Sequence, residues 1–283
     1  RLCAEAIRIS DWREGGVQFG ADVPSLSVRS GGGELDVQTS GTLTLSGPVF
    51  GVELADSKLS GGVQVTQVKE GLRVEPVGQR CLVFDTKGVG LGGIDFEAAR
   101  LNVCPRTGVF MRPGNGPPSG TASLGDVSWP FASKSVTGVL SLKEAVVDWS
   151  ADKGFAFTLS SPSLGLPLQI DDRTLIIDAA RPRVSLSTAK GRAPALSATL
   201  NDTVFGGTLI PAKVSADKIT FNGQIGSGGL SGDLAGDAVL IRDFREDPIY
   251  QPLLSDMTAR MDEWQLALKG PLRLQANGIP VGE

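Results

Sequence analysis

The sequence predicts an all-β protein, with many short amphipathic strands, antiparallel or meandering, forming a curled, elongated sheet with an apolar groove and few or no helices. Three observations carry this expectation. Apolar and polar residues alternate with a period of two from end to end, the period of a strand with one buried and one wet face. The 37 glycines and 17 prolines, about 19% of the chain against a usual share of about 12%, punctuate it at short intervals. Hydrophobic residues at 41% suffice for a substantial buried face, while aromatics at 6% are too sparse for stacking platforms. At ordinary strand lengths this amounts to roughly 16 to 20 strands.

Taken in chain order, Thr42-Leu43-Thr44-Leu45-Ser46 puts Leu43 and Leu45 on one face, and Gly62-Val63-Gln64-Val65-Thr66 repeats the arrangement with Val63 and Val65. Cys81 and Cys104 each lie in a strand-like apolar segment, with the glycine-rich Gly88 to Gly93 turn between them. Adjacent strands there would carry a disulfide contributing roughly 3 kcal/mol through loop closure; the alternative is two buried thiols. The third cysteine, Cys3, reads as a small buried hydrophobe. Pro113 to Gly120 is a low-complexity stretch and the best candidate for a soft boundary within residues 1–283, which otherwise read as one elongated unit.

Leu140 and Leu142 resume the alternation. Phe155-Ala156-Phe157-Thr158-Leu159-Ser160 gives it its bulkiest set, in Phe155, Phe157 and Leu159. Val184 and Leu186, the strand Leu196 to Leu200, and Ile219 with Phe221 continue it. A loose motif of Ser or Thr, Gly, any residue, then an aliphatic or alanine is read as starting strands at Gly41, Gly61, Gly120, Gly138 and Gly232. Its spacing is irregular, so fixed-period solenoids are not supported. A short helix around Leu253 to Met261 is the one helical signal, confined by Pro248 and Pro252.

The absence of histidine removes the commonest general base, the usual nucleophile triads and most zinc sites together. Asp171 and Asp172 are neighbours and would point to opposite faces of a strand, so a turn is the better reading. Glu246 and Asp247, before a proline, read as a solvated turn. The run Gly228 to Asp237 has only one approximate copy of a calcium-binding glycine-rich unit that works in tandem. No helix pattern follows Gly88 to Gly93, which argues against a phosphate loop. No metal, no cofactor and no catalytic residue is expected.

The net charge of −4 gives no reason to bind nucleic acid. Arg181, Arg183, Lys190 and Arg192 lie among Pro182 and Pro194 and read as a solvated loop edge. No run approaches the 18 apolar residues of a membrane-spanning helix, and the start at Arg1 is expected of a piece of a longer protein.

With no helices to cover them, so many one-sided strands have three solutions: two packed sheets, a closed barrel, or a trough whose apolar side receives an acyl chain. Ala99-Arg100-Leu101-Asn102-Val103-Cys104-Pro105 following Cys81, and Arg242-Asp243-Phe244-Arg245-Glu246-Asp247-Pro248-Ile249-Tyr250-Gln251-Pro252-Leu253-Leu254, resemble segments of the YdbH branch of the AsmA-like proteins, and the overall pattern is similar to that family and to TamB. The resemblance implies a β-taco-like fold in a periplasmic, inner-membrane-anchored bridge. Such a bridge would dock to an outer-membrane component and carry phospholipid along a hydrophobic groove. The groove residues expected are Leu43, Leu45, Val63, Val65, Leu140, Leu142, Phe155, Phe157, Leu159, Val184, Leu186, Ile219 and Phe221. Two other readings stand beside it: a structural or adhesive β-sandwich or solenoid with a closed core, and a carboxylate-based hydrolase.

Overall fold

The structure is a computed structural model. It describes residues 2–243 except positions 5, 33, 50, 51, 70, 79, 115, 135, 153, 190–192, 211, 227, 228 and 238, and beyond 243 the backbone of five strands between 251 and 282. Side chains are described between Ala6 and Val239, outside positions 11, 189, 212, 213 and 229.

Alternating aliphatic, aromatic and threonine residues favour extended backbone, because such side chains pack well on a pleated surface. Every regular element among the described residues is a strand. The chain opens with β1 (Leu2–Ala4), β2 (Ile7–Glu14), β3 (Val17–Gly31), β4 (Glu34–Val49) and β5 (Val52–Val68). Short strands follow: β6 (Gly71–Pro76), β7 (Leu82–Thr86), β8 (Gly88–Leu91), β9 (Ile94–Phe96) and β10 (Ala99–Pro105). Next come β11 (Ser119–Ala132), β12 (Val136–Ala151), β13 (Gly154–Ser160), β14 (Ser163–Ile170), β15 (Arg173–Ala189), β16 (Ala195–Gly206) and β17 (Ala212–Gly226). The last are β18 (Gly229–Asp237), β19 (Val239–Asp243), β20 (Gln251–Leu254), β21 (Met257–Asp262), β22 (Gln265–Lys269), β23 (Arg273–Ala276) and β24 (Ile279–Gly282).

All belong to one antiparallel sheet that grows strand by strand along the chain. Long β3, β4 and β5 pair in succession, and β6, β7 and β8 then lie end to end along the far edge of β5. Strand β10 continues from β7 and β9 from β8, and both pair with β11. Strands β13 and β14 share the gap between β12 and β15, after which β15, β16 and β17 pair in order. The sheet passes the loop at 113–120 without interruption, since Met111 bridges both Val74 and Gly120. Two-residue turns close several hairpins. Gly15 and Gly16 between β2 and β3, and Gly92 and Gly93 between β8 and β9, all take positive φ, the conformation that matches the twist of paired strands.

A seam of irregularities crosses the sheet. Register shifts between Asp22 and Ser25 in β3, and the facing pair Gly41 and Gly61 lies beside that shift in β4 and β5. It shifts again at Gly125 in β11, opposite positive-φ Glu144 in β12. The break between β13 and β14 at Ser161 and Pro162 meets Arg181 and Pro182 of β15 through two backbone hydrogen bonds. Arg181 and Asp202 both have positive φ. Bulges bend the strand that carries them and increase its twist. Buried side chains gather along this seam, in Val127, Leu142, Ala145, Leu164, Ala179, Thr203, Ala216 and Val239.

The structure corrects several expectations. Among the described residues there are 24 strands, not 16 to 20, because several rows are split into two or three pieces. Many strands are short, as expected, while β5 and β15 reach 17 residues. Gly41, Gly61 and Gly232 sit inside strands rather than at their starts, because close approach of a neighbouring strand or ring, not a turn, requires them. Gly88 to Leu91 is strand β8, and only Gly92 and Gly93 turn. The expected helix around Leu253 to Met261 falls on β20 and β21, which pair with β19 and β18; ladder partners outweigh a weak local helical signal. Arg181 and Arg183 lie in β15 rather than on a loop edge, the bulge accommodating Pro182. Lys190, Arg192, Glu246 and Asp247 lie outside the described residues, as does Gly228.

Candidate functional site

Directly paired residues point to the same side of a sheet, so the registers define its two faces. One row runs Ile9, Ala21, Leu43, Leu59, Phe84, Leu101 from β2 to β10. Parallel rows hold Phe19 with Leu45, Thr39 with Val63 and Pro76, and Val28 with Val37, Val65 and Val74. Leu101, Val103 and Pro105 share this side by period two, and Pro105 pairs with Ala122. From there the row continues as Val147, Leu159, Val184, Ala198, Phe221 and Leu234. Beside it stand Trp149, Phe157, Leu186 and Leu196. Ile219 pairs with Leu200, and Phe155 follows Phe157 by period two. Leu140 and Leu142, beyond the bulge, join the same side by packing in one cluster with Leu101, Leu159 and Leu200.

The registers and that cluster thus place all thirteen groove candidates on one face. Their residue types explain it: each is aliphatic or aromatic, and most alternate with polar or small residues. The opposite face is mainly polar, apart from a patch of Pro130, Val139, Pro167 and the exposed Ile176. Thr42 and Ser60 share a hydrogen bond of 3.0 Å, Thr158 and Ser185 one of 2.9 Å, and Gln64 donates to Asp36 at 2.9 Å. Thr44, Lys58, Asp85 and Arg100 form a charged row there.

Much of the apolar face is open at its β2–β6 end. Ile7, Ile9, Trp12, Leu35, Leu43 and Leu72 all lie on it and are 37–54% exposed, far more than single scattered hydrophobes would explain. Trp12 and Phe19 meet edge to face at 6.2 Å. Sequence reading missed Trp12, Phe19, Leu59, Phe84, Trp129 and Trp149 on this face. The alternation Val147-Asp148-Trp149-Ser150 carried the signal for the last.

Glycine serves this face in a second way. A Cβ at Gly223 or Gly232, which face each other, would lie 2.5 or 2.8 Å from the Phe221 ring, so the tip of that ring sits over the pair. Phe131 covers its partner Gly138 in the same manner.

Cys81 and Cys104 form a disulfide with Cα atoms 4.2 Å apart, stapling β7 to β10 next to the Leu82–Val103 pair. Cys3 lies in β1 opposite Ser27. Asp171, with positive φ, and Asp172 form the tight turn between β14 and β15. Among the described residues no three His, Cys, Asp or Glu side chains gather as a metal site.

Electrostatic features cluster at bulges. Asp126 accepts from Lys143 Nζ at 2.8 Å and from the Glu144 N–H at 3.0 Å. The Lys143 hydrogen bond, then that N–H, hold the Asp126 carboxyl below its usual range, and the same contact raises Lys143. Asp56 is lowered in the same way by Lys87, 2.5 Å away. Arg181 pairs with Asp202 at 3.1 Å.

Comparison with known family models, curated proteins and solved structures finds no match to this chain.

Proposed function

We propose that this protein is a segment of a periplasmic bridge-like lipid carrier, whose apolar sheet face shields phospholipid acyl chains between the inner and outer membranes. It acts without cofactor or catalytic centre. In this reading the full-length protein is anchored in the inner membrane and docks to an outer-membrane component. The observation that carries the proposal is the continuity of one apolar face from β2 to β18, with large side chains left open on it.

The surface area supports an open arrangement. The chain exposes 17012 Å², whereas a compact monomer of 29.5 kDa would expose about 11,500 Å². A closed sandwich would bury these side chains against a second layer. A bend along the bulged seam would turn one sheet into a trough with small residues at its crease, where Ala145, Ala179 and Ala216 stand.

The test is native mass spectrometry of the purified protein, followed by lipid extraction. Phospholipid is expected to co-purify. A protein that carries none, and takes none from vesicles, would overturn the proposal.

A further inference from the structure

The loop between β10 and β11 folds back over the ends of β6, β11 and β12 and borders a half-open cavity of about 840 Å³. Its lining includes Arg106, Arg112, Asp148 and Trp149. Four other arginines, Arg8, Arg73, Arg100 and Arg181, have carboxylate partners. Arg106 and Arg112, like Arg13, Arg29, Arg80, Arg173 and Arg183, have none among the described residues. The Trp149 ring lies against Gly120, where a Cβ would come within 2.7 Å of the indole Nε1. Its N–H has no acceptor among the described residues, whereas the Trp129 N–H donates to the Glu97 carbonyl at 2.7 Å. Asp148 is the one acidic group in the lining and accepts from Thr121 Oγ1 at 2.6 Å. Two arginines and one carboxylate thus line the cavity, with Asp148, paired with Thr158, on the polar side of the sheet and Trp149, paired with Phe157, on the apolar side.

A guanidinium presents a rigid fork of donors that matches phosphate oxygens, and a half-buried indole N–H ordinarily finds an acceptor. We infer that this cavity binds an anionic phosphate ester, with Arg106 and Arg112 on the phosphate and the Trp149 N–H as a further donor. Trp149 also heads the apolar row that continues to Phe157 and Leu186. A phospholipid seated here places its headgroup at the rim and its chains on that row. The lipid source rests on the carrier reading above, while a soluble phosphate ester has the same anionic chemistry.

The test loads the protein from vesicles of equal phosphatidylglycerol and phosphatidylcholine and reads bound lipid by native mass spectrometry. The wild type should favour phosphatidylglycerol at least fivefold. In the double variant Arg106→Ala, Arg112→Ala, on an exposed loop, the ratio should fall to within twofold of unity with total lipid unchanged. Trp149→Phe, which keeps a ring over Gly120, should weaken the preference partially. A wild type without preference, or a double variant that keeps it, overturns the inference. If neither protein takes lipid, the carrier reading fails and glycerol 3-phosphate titration decides the site. Wild-type binding weakened at least tenfold in the double variant upholds a soluble phosphate ester as ligand, and no wild-type binding overturns the site.

Discussion

Phe157 is held between Trp149 on one neighbouring strand and Leu186 on the other, and its ring stacks alongside Phe155 at 6.3 Å. In Phe157→Asp, a carboxylate replaces an apolar surface, and a charge there repels an acyl chain at a cost of several kcal/mol. On an open face the charge itself stays hydrated, so the variant is expected to fold, by circular dichroism, and to lose co-purified phospholipid. Unfolding would instead mark a closed core. Ser197→Asp, between Ser185 and Asn222 on the polar face, should change neither property. A second pair of substitutions probes the seam. At Gly41 a Cβ would lie 2.3 Å from the Asp22 carbonyl oxygen and 2.9 Å from the Val23 Cα, backbone atoms that cannot step aside. Gly41→Ala should therefore cost about 2 kcal/mol by forcing the strands apart. Gly31→Ala has nothing within 4 Å and should stay within about 0.5 kcal/mol of wild type. Chemical denaturation measures both, and equal effects would refute the close approach at Gly41.

Between strands, the cystine and the bulge clasps are the elements with measurable consequences. The Cys81–Cys104 bridge closes 23 residues of separation, so reduction should remove roughly 3 kcal/mol and lower the melting temperature by about 10 °C. One free thiol, that of Cys3, is expected in denaturant, and three would contradict the bridge. The clasp of Asp126 and Lys143 adds a pH dependence whose sign follows from its shifts. Asp126 is lowered from the usual 3.8, so its contribution is full above that value and is lost as pH falls through the lower folded value. Lys143 is raised from 10.5, so its contribution is full below that value and is lost as pH rises through the higher one. The melting difference between wild type and Asp126→Asn should be flat from pH 5 to 9 and shrink at both extremes. Both groups are exposed, so 0.5 M salt should reduce it throughout. The strands themselves were legible, since Leu43, Val63, Phe157 and Phe221 announce their faces by period two. The seam was not. Lys143-Glu144 and Arg181-Pro182 look like loop residues in sequence, but a bulge lets a strand carry them while its neighbours hold their register. The role of glycine was likewise hidden, because Gly232 beside Phe221 depends on a partner strand that no local window shows.

At the scale of the molecule, nearest-neighbour antiparallel pairing makes length proportional to the number of rows. About sixteen rows, at about 4.8 Å each, extend roughly 70 to 75 Å. A sheet so long and one layer thick has little second-layer core to close, and its stability rests on ladders, the seam and the packing on one face. The alternative, a sheet folded shut into a sandwich, has the same ladders and the same polar exterior but a different mass distribution. A compact chain of this length has a radius of gyration near about 19 Å, whereas a single sheet of the length above and about 40 Å wide along its strands has one near about 24 Å. Small-angle scattering on the monomer separates these values directly, and 24 Å is expected. Scattering at 19 Å would mean that Ile9, Trp12 and Leu43 are covered in solution by the protein's own sheet. In that case Phe157→Asp should unfold the protein, so the two measurements must agree on which side of the sheet faces solvent.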